Sequence, residues 1–390
     1  MKKNYLIIGA SAAGISAALK LRQLDSQADI VCFSEEQEFP YNKCFLADYL
    51  HQTKKVSDIF IRPPDFLEQQ NITLCLGTKI ITIEADKKYI IDEQGNVYHY
   101  EKLLLAMGGS VVPPPIKGVE QSHVLYFYTF ADADGLLNRV KEERVDSVVI
   151  IGAGLSGLEC ADALSRLVKK VTLVECASHI LPVQATPEGA AVIEQALQEQ
   201  GVELRVSRKV VAICKDSVEF DDGTILAAQK VVIACGARPN GWLAQKAGVR
   251  IESGAILTDE LLKTSDNNIF AAGDVILVKD TITGQKVKSC SWPDALIQGA
   301  IAAENMAGGC KKYAGVTPVT SSAFFGIKFF SAGVIKNYSS QYSSKIEKTD
   351  NSYRLIVHDS GVIKGFLLVG QTHGLVDLKR SLLTQTKCLI

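Results

Sequence analysis

The stretch that decides the fold occurs twice, as YLIIGASAAG at residues 5–14 and as VVIIGAGLSG at residues 148–157. In each copy a short apolar run enters a glycine-containing turn, and a helical pattern follows the turn. A second apolar run then comes at residues 30–33 after the first copy and at residues 171–174 after the second. Continuous apolar runs of this length are typical of buried parallel strands. The sequence therefore predicts two β-α-β units and an α/β fold.

The glycines of both turns predict binding sites for dinucleotides. In the pattern G-x-G-x-x-G, the first glycine makes a tight turn, the second lets the backbone approach a pyrophosphate, and the third lets helix and strand pack closely. The pyrophosphate then lies at the helix N-terminus, where N–H groups and the helix dipole favour an anion. The expected contacts are Gly9, Ser11, Ala12, Ala13 and Gly14 in the first copy, and Gly152, Gly154, Leu155, Ser156 and Gly157 in the second. Ser11 replaces the middle glycine, and a serine is small enough to allow the same approach.

A carboxylate at the end of the second strand discriminates between nicotinamide nucleotides. Glu175 ends that strand in the second unit, where it can accept a hydrogen bond from a ribose 2′-OH and repel a 2′-phosphate. Residues 176–179 hold no Arg or Lys to receive the phosphate, so this site is expected to prefer NADH to NADPH. In the first unit Ser34 holds the equivalent position and Glu35 and Glu36 follow; Glu35 is the favoured carboxylate.

Charge and composition argue against several classes of function. The formal net charge is −1, so no long-range field attracts nucleic acid or an anionic membrane. No apolar run approaches the roughly 20 residues that span a bilayer. The N-terminal apolar stretch ends at Gly9 without a cleavage-like segment, which favours a first β-strand and a cytoplasmic location. None of the ten cysteines forms a close pair, so no metal site is expected, and all but Cys44 are interpreted as small buried hydrophobes.

Further segments resemble the pyridine nucleotide–disulfide oxidoreductase family over residues 1 to about 318. IFAAGD at residues 269–274 is similar to the family's second FAD motif, whose aspartate holds the ribityl chain. AMG at residues 106–108 resembles its A-T-G turn, and ACG at residues 234–236 resembles a second such turn. The resemblance implies that the first site binds FAD and the second binds NADH. It adds Ile80, Ala106, Gly108, Gly273 and Asp274 to the FAD contacts and Gly236 to the NAD contacts.

The resemblance also implies a domain organisation. Residues 1–115 and 241–318 are expected to form a discontinuous FAD-binding domain, and residues 116–240 an NAD(H)-binding domain. The composition of the chain changes after about residue 318, which predicts a small α+β C-terminal domain over residues 319–390. This domain is expected to contain strands at residues 353–358 and 363–369 and a closing helix. This domain is expected either to close a homodimer or to cover the flavin.

A short segment points to a subgroup of the family and also departs from it. PYNKCFL at residues 40–46 is similar to the P-Y-x-[RK]-P-x-L segment of NADH:rubredoxin reductases and of the flavin portion of NADH-dependent nitrite reductases. The resemblance implies that Lys43 touches the flavin and that Glu159 lies near the nicotinamide, the two flanking the stacked rings as a charge pair. Cys44 stands where that pattern has proline, in register with the single redox cysteine of coenzyme A disulfide reductases and NADH peroxidases.

Three functions follow as alternatives. The first is an FAD-dependent NADH oxidoreductase that passes electrons to a small carrier such as rubredoxin, and Lys43 favours it. The second is a thiol-based reductase of a small disulfide, persulfide or peroxide acting through Cys44. The third is a non-enzymatic protein whose bound nucleotide shapes an interaction surface. Because fold-level likeness is weak evidence for a substrate, the sequence alone leaves the acceptor open.

Overall fold

The computed structural model describes residues 3–288, 291–336 and 341–387, which divide into two compact units. The first unit comprises the described residues up to Cys44, Lys55–Ser110 and Ala237–Val316. The second comprises Phe45–Lys54, Val111–Gly236 and the described residues from Thr317 onward. The polypeptide therefore passes repeatedly from one unit to the other. The three domain boundaries expected from the sequence remain predictions.

The described strands are short and follow one another in the chain as β1 (Asn4–Ile8), β2 (Asp29–Phe33), β3 (Thr73–Cys75), β4 (Ile80–Glu84), β5 (Tyr89–Asp92), β6 (Val97–His99), β7 (Lys102–Leu105), β8 (Gly109–Val111), β9 (Val124–Tyr126), β10 (Ser147–Ile151), β11 (Lys170–Val174), β12 (Glu203–Arg205), β13 (Val210–Cys214), β14 (Ser217–Phe220), β15 (Ile225–Ala227), β16 (Lys230–Ile233), β17 (Ala237–Pro239), β18 (Ile251–Glu252), β19 (Ala255–Leu257), β20 (Ile269–Ala271), β21 (Ile276–Lys279), β22 (Lys286–Lys288), β23 (Val319–Phe324), β24 (Ile327–Gly333), β25 (Ser343–Thr349), β26 (Ser352–Asp359) and β27 (Val362–Val369). The helices are α1 (Ala12–Leu24), α2 (Leu46–Leu50), α3 (Val56–Ile59), α4 (Phe66–Gln69), α5 (Phe130–Glu142), α6 (Leu155–Ser165), α7 (Pro187–Glu199), α8 (Trp242–Lys246), α9 (Trp292–Met306) and α10 (Leu375–Thr384), with a 3₁₀ turn at Lys43–Phe45.

The first unit is built on a parallel sheet of five strands in the order β20-β7-β1-β2-β3. Helix α1 connects β1 to β2, so the first predicted β-α-β unit is confirmed. Helix α9 packs on α1. The two helices are so close at Gly299 that a Cβ added there would lie 2.1 Å from the carbonyl oxygen of Ala13. This unit also contains smaller sheets, among them β4-β5-β6 and β18-β19-β21-β22.

The second unit contains an equivalent parallel sheet in the order β12-β11-β10-β16-β9, with α6 connecting β10 to β11. The second predicted β-α-β unit and the α/β class are thereby confirmed. Its three-stranded sheet, β13-β14-β15, has a hairpin turn at residues 221–223 between β14 and β15. Helix α2, from the segment Phe45–Lys54, packs against α5 and α6.

Residues beyond 318 form an antiparallel sheet in the order β23-β24-β27-β26-β25, followed by α10. The two expected strands correspond to β26 and β27, and the closing helix to α10. The other three strands were not predicted. All seven residues of β25, Ser343–Thr349, are exposed, so this edge strand lacks the alternation that reveals a half-buried strand.

The interpretation of the cysteines as buried hydrophobes is wrong for most of those described. Among the described cysteines to which it applied, Cys32 and Cys160 are buried, Cys75 is half-buried, and the exposed group comprises Cys176, Cys214, Cys235 and Cys310. Cys176 and Cys235 each come two residues after the end of a buried strand, so they lie beyond the edge of the sheet and not within it. Cys290 and Cys388 lie outside the described residues.

Candidate functional site

The two glycine turns have the same backbone geometry. Gly9 and Gly152 both adopt φ +106°, a conformation that disfavours any residue with a side chain. The N–H of Gly9 donates a hydrogen bond to the carbonyl oxygen of Phe33 at 2.8 Å, and the N–H of Gly152 donates to that of Val174 at 2.8 Å. Each turn is therefore tied to the end of the next parallel strand, as a dinucleotide-binding turn requires.

The third glycine of each turn is required by close packing. A Cβ on Gly14 would lie 1.8 Å from the carbonyl oxygen of Gly9, and a Cβ on Gly157 would lie 1.9 Å from that of Gly152. Both distances are far below van der Waals contact, so only glycine lets the helix start against the strand.

The middle position of the second turn faces open space. A Cβ on Gly154 would meet no atom within 4 Å, although Gly154 has an ordinary φ of −77°. Gly154 and Ser11 are the N-cap residues of α6 and α1. The predicted contacts Ala12, Ala13, Leu155 and Ser156 begin these helices, where N–H groups lack an intrahelical acceptor. The N–H donors fit a pyrophosphate in each turn, and the open space at Gly154 leaves room for one in the second turn.

Glu175 is held against the second turn by backbone hydrogen bonds. Its Oε2 accepts from the N–H of Ala153 at 2.8 Å, and its Oε1 accepts from the N–H of Ala177 at 2.9 Å. The thiol of Cys176 also donates to Oε1, at 3.3 Å. Glu175 is buried, yet carboxylate oxygens have further lone pairs with which to receive a ribose hydroxyl. A 2′-phosphate at this position would meet a fixed negative charge.

The residues after β2 differ from this arrangement. The Ser34 hydroxyl accepts a hydrogen bond from the N–H of Glu36 at 3.2 Å. Glu35 is largely exposed and forms an ion pair with Lys79 at 3.5 Å. Glu36 accepts from the Tyr41 hydroxyl at 2.7 Å. The role expected for Glu35 at the FAD ribose remains a prediction, and Glu36 is the carboxylate closer to residues 40–44.

Asp274 and Lys43 lie near each other within the first unit. Burial raises the pKa of Asp274 to about 6, and the nearby Lys43 ammonium acts in the opposite direction. Lys43 also forms an ion pair with Glu36 at 3.6 Å. The turn before Asp274 is fixed by Gln298, a fully buried residue whose Oε1 accepts from the N–H of Gly273 at 2.7 Å. An aspartate enclosed in this way fits a group that supplies hydroxyl donors, such as a ribityl chain.

The remaining predicted FAD and NAD contacts lie at or beside strand ends. Ala106 follows β7, and its carbonyl oxygen would lie 2.1 Å from a Cβ on Gly9. Gly108 and Gly236 have φ of +59° and +90°. Ile80 begins β4 and is buried in the core of the first unit. The structure brings Ala106 to the first glycine turn; the role of Ile80 stays a prediction.

Cys44 is exposed and lies in the 3₁₀ turn Lys43–Phe45. Its N–H donates to the Asn42 side-chain oxygen at 3.0 Å, which fixes the start of the turn. An exposed thiol next to a lysine is accessible to a small substrate, and an ammonium favours the reactive thiolate.

Glu159 lies on α6 in the second unit and is surrounded by residues that sequence reasoning missed. Its Oε1 accepts a hydrogen bond from the Ser322 hydroxyl at 3.1 Å. Burial raises the pKa of Glu159 to about 7, the Ser322 hydrogen bond lowers it, and the charge of Asp48 on α2 raises it further. No sequence pattern marks Ser322 or Asp48 as neighbours of Glu159. The expected charge pair between Glu159 and Lys43 remains a prediction.

The described residues contain neither a metal-binding cluster nor a membrane-spanning helix. No cluster of three or more His, Cys, Asp or Glu side chains there is arranged to hold a metal ion. None of the helices in the described part of the chain has the length and apolar character to cross a membrane.

Three curated proteins show what the chain is similar to. It is 33% identical over 327 residues to an NADH oxidase of Methanocaldococcus jannaschii, covering 82% of this chain and 72% of that protein. It is 30% identical over 339 residues to a rubredoxin-NAD(+) reductase of Pseudomonas putida, covering 85% and 87%. It is 32% identical over 340 residues to a CoA-dependent NAD(P)H sulfur oxidoreductase of Pyrococcus abyssi, covering 86% and 76%.

A solved structure and a family assignment agree with these similarities. The structure of the covalent putidaredoxin reductase–putidaredoxin complex matches with a TM-score of 0.87 at 25% identity, covering 98% of this chain and 93% of that one. The family described as pyridine nucleotide-disulphide oxidoreductase matches residues 3–305. The chain therefore belongs to the pyridine nucleotide-disulphide oxidoreductase family and is an FAD-dependent NAD(P)H oxidoreductase.

Proposed function

We propose that this enzyme passes electrons from NADH through FAD to a small redox carrier protein. The observation that carries the proposal is the pair of turns with matching geometry, one in each unit, of which the second holds a fixed carboxylate at Glu175. The similarity to a rubredoxin-NAD(+) reductase over most of both chains supports a carrier as the acceptor. When bound, the cofactors supply the hydride and electron-transfer chemistry.

The protein's own contribution is binding, orientation and charge. The turn at Gly9 is suited to the FAD pyrophosphate, and Asp274 to the ribityl hydroxyls. The turn at Gly152 is suited to the NADH pyrophosphate, and Glu175 to the ribose 2′-OH. We assign Glu159 to the nicotinamide end of the second site. This division of roles follows the family resemblance, and the geometry around each residue supports it.

The charges beside Cys44 favour the carrier over a thiol mechanism. A reactive thiolate needs a net positive environment. Lys43, the neighbouring cation, forms an ion pair with Glu36 at 3.6 Å, so its charge is already partly compensated. Electron transfer to a carrier requires no thiolate at this position.

The test is a comparison of acceptors under anaerobic conditions, with aerobic controls. NADH oxidation by the FAD-loaded protein would be followed with rubredoxin, an iron–sulfur ferredoxin, coenzyme A disulfide, a persulfide, hydrogen peroxide and dioxygen. We expect a carrier protein to give the highest kcat/KM. A higher kcat/KM with a sulfur compound, and no turnover with either carrier, would overturn the proposal.

One observation favours a second candidate function. Cys44 is exposed and stands in register with the single redox cysteine expected in coenzyme A disulfide reductases and NADH peroxidases, and the Pyrococcus abyssi relative is named as a sulfur oxidoreductase. In this alternative the Cys44 thiolate would attack the S–S bond of a substrate disulfide, forming a mixed disulfide and releasing one thiol. The two electrons that the flavin supplies when bound would then cleave the mixed disulfide, restoring Cys44 and releasing the second thiol. Because the family is one of oxidoreductases, the non-enzymatic alternative is not retained. We place either activity in the cytoplasm, where free thiols persist.

A further inference from the structure

Glu159 lies where three segments of the second unit meet. Helix α6 carries Glu159, helix α2 packs against α6 and carries Asp48, and strand β23 supplies Ser322. The Ser322 hydroxyl donates to Oε1 of Glu159 at 3.1 Å. Asp48 is near enough for its charge to disfavour ionisation of Glu159. The carboxyl is thus enclosed by one hydrogen-bond donor and one like charge.

The other titratable groups around α6 are engaged elsewhere or are themselves buried. On α6, Asp162 accepts from the N–H of Phe325 at 2.8 Å and lies 3.8 Å from Arg166. Burial lowers the pKa of His51, the C-cap residue that follows α2. The Cys160 thiol, also on α6, is fully buried. The strands beneath α6, β10 and β11, present apolar side chains and Thr172 to the core. None of these groups is seen to neutralise Glu159.

We propose that Asp48 and Ser322 are positioning residues that act on Glu159 in opposite directions, Asp48 favouring the protonated carboxyl and Ser322 the carboxylate. Together they set Glu159 to exchange a proton with solvent near neutral pH when the nucleotide beside it changes charge. This inference rests on the proposed function, because it takes Glu159 to face the nicotinamide.

The consequence is a link between nucleotide charge and proton binding. The oxidised nicotinamide ring is cationic and the reduced ring is neutral. A cation within a few ångströms favours the ionised form of a carboxyl. Binding of NAD+ should therefore release a proton from Glu159, whereas binding of NADH should leave the proton in place. By linkage, affinity for NAD+ should rise with pH through this ionisation while affinity for NADH changes little.

The ionisation itself can be measured without turnover. Infrared difference spectra of the FAD-loaded protein, recorded from about pH 5 to about pH 9, would show the C=O band of a protonated carboxylic acid. This pH range is wide enough to detect a change of roughly 1 unit in the midpoint of the Glu159 ionisation, the change expected from one neighbouring group. We expect a band that disappears near neutral pH in the wild type and is absent from Glu159→Gln. Asp48→Asn should lower the midpoint by roughly 1 unit, and Ser322→Ala should raise it by roughly as much. Ser322→Thr keeps the hydroxyl and should restore the wild-type midpoint.

Asp146→Asn is the matched control, since Asp146 is an exposed carboxylate of the same unit paired with Lys169. In this variant the pH at the midpoint of the Glu159 ionisation should equal that of the wild type. Shifts of the same sign in Asp48→Asn and Ser322→Ala, or no Glu159 band near neutral pH, would overturn the inference.

Calorimetry in buffers of different ionisation enthalpy then counts protons released on binding NAD+ and NADH. Release with NAD+ alone, lost in Glu159→Gln, supports the inference. Opposite midpoint shifts without any proton release would show that Asp48 and Ser322 set the ionisation but that Glu159 does not face the nicotinamide, which overturns the nucleotide link. Failure of the proposed function would appear separately, as absence of carrier reduction in the acceptor comparison.

Discussion

The carboxylate of Glu175 accepts a hydrogen bond from the N–H of Ala153 at 2.8 Å, inside the turn that is suited to the NADH pyrophosphate. The same carboxylate accepts from the N–H of Ala177 on its other oxygen. Its orientation is therefore fixed by backbone on both sides. The position that we propose to discriminate NADH from NADPH and the position suited to the pyrophosphate are therefore joined by hydrogen bonds.

Glu175→Gln is expected to weaken NADH binding and reduce the preference for NADH. An amide can accept from only one of the two N–H groups, and its NH₂ would face the other donor. The loss should be about 1–2 kcal/mol, or roughly tenfold in Kd. Anaerobic stopped-flow reduction of the flavin at limiting NADH and NADPH measures it. Glu188→Gln, at an exposed position on α7, is the control. An unchanged ratio of the two rates would contradict the assignment.

Gly154→Ala and Gly157→Ala should separate binding from folding. At Gly154 the new methyl group meets no protein atom, so we expect unchanged thermal stability but at least roughly tenfold weaker NADH binding, since the methyl enters the space for the pyrophosphate. At Gly157 it would collide with the Gly152 carbonyl oxygen, so the fold should lose about 1–3 kcal/mol. Thermal unfolding without nucleotide and an NADH titration distinguish the two. Equal losses of stability would refute this account.

Cys44→Ser should leave reduction of the flavin by NADH and transfer to a carrier protein unchanged. Any reduction of a disulfide or persulfide should be abolished, because serine cannot form the mixed disulfide. The measurement is turnover with each acceptor, and Cys310→Ser, at an exposed position of the same unit, is the control. Loss of carrier reduction in the Cys44 variant alone would mean that the thiol takes part in the main reaction.

Glu159 should make the protein less stable as pH rises. Its folded-state pKa is raised to about 7, so the folded protein binds more protons than the unfolded chain between the ordinary carboxyl value and neutrality. The stabilisation is complete below the ordinary pKa and is lost as pH rises through about 7. Glu159→Gln should remove this dependence and be more stable than wild type at pH 8 by about 3 kcal/mol at most. Urea unfolding of the wild type and Glu159→Gln at pH 5 and pH 8 tests this prediction. An equal change in the free energy of unfolding between the two pH values in both proteins would count against it.

The parts of the site that the sequence predicted are those defined by local spacing. Gly9, Gly14, Gly152 and Gly157 are set by short-range turn geometry, and Glu175 is placed by its position at the end of a strand. Such features are visible in one short segment, because strand, turn and helix each have a characteristic pattern. The two parallel sheets followed from the same patterns.

What could not be predicted depends on contacts between distant segments. Ser322 meets Glu159 across 163 positions of sequence, and Asp48 reaches it only because α2 packs on α6. Gln298 fixes the turn at Gly273 from another helix. The exposure of Cys235 depended on where β16 ends, a boundary that apolar runs locate only to within a few residues. Side chains brought together by tertiary packing leave no periodic signal.

Because the two units are interleaved along the chain, parts of the first unit are translated after most of the second unit. Strand β20, an edge strand of the first parallel sheet, and helix α9, which covers α1, are translated only after all five strands of the second parallel sheet. During translation, the first sheet therefore lacks β20, and α1 lacks its covering helix α9, until the second sheet has been synthesised. The role in FAD binding that we propose for Asp274 can be filled only late in translation, and a chain truncated before residue 269 is expected not to become yellow on addition of FAD.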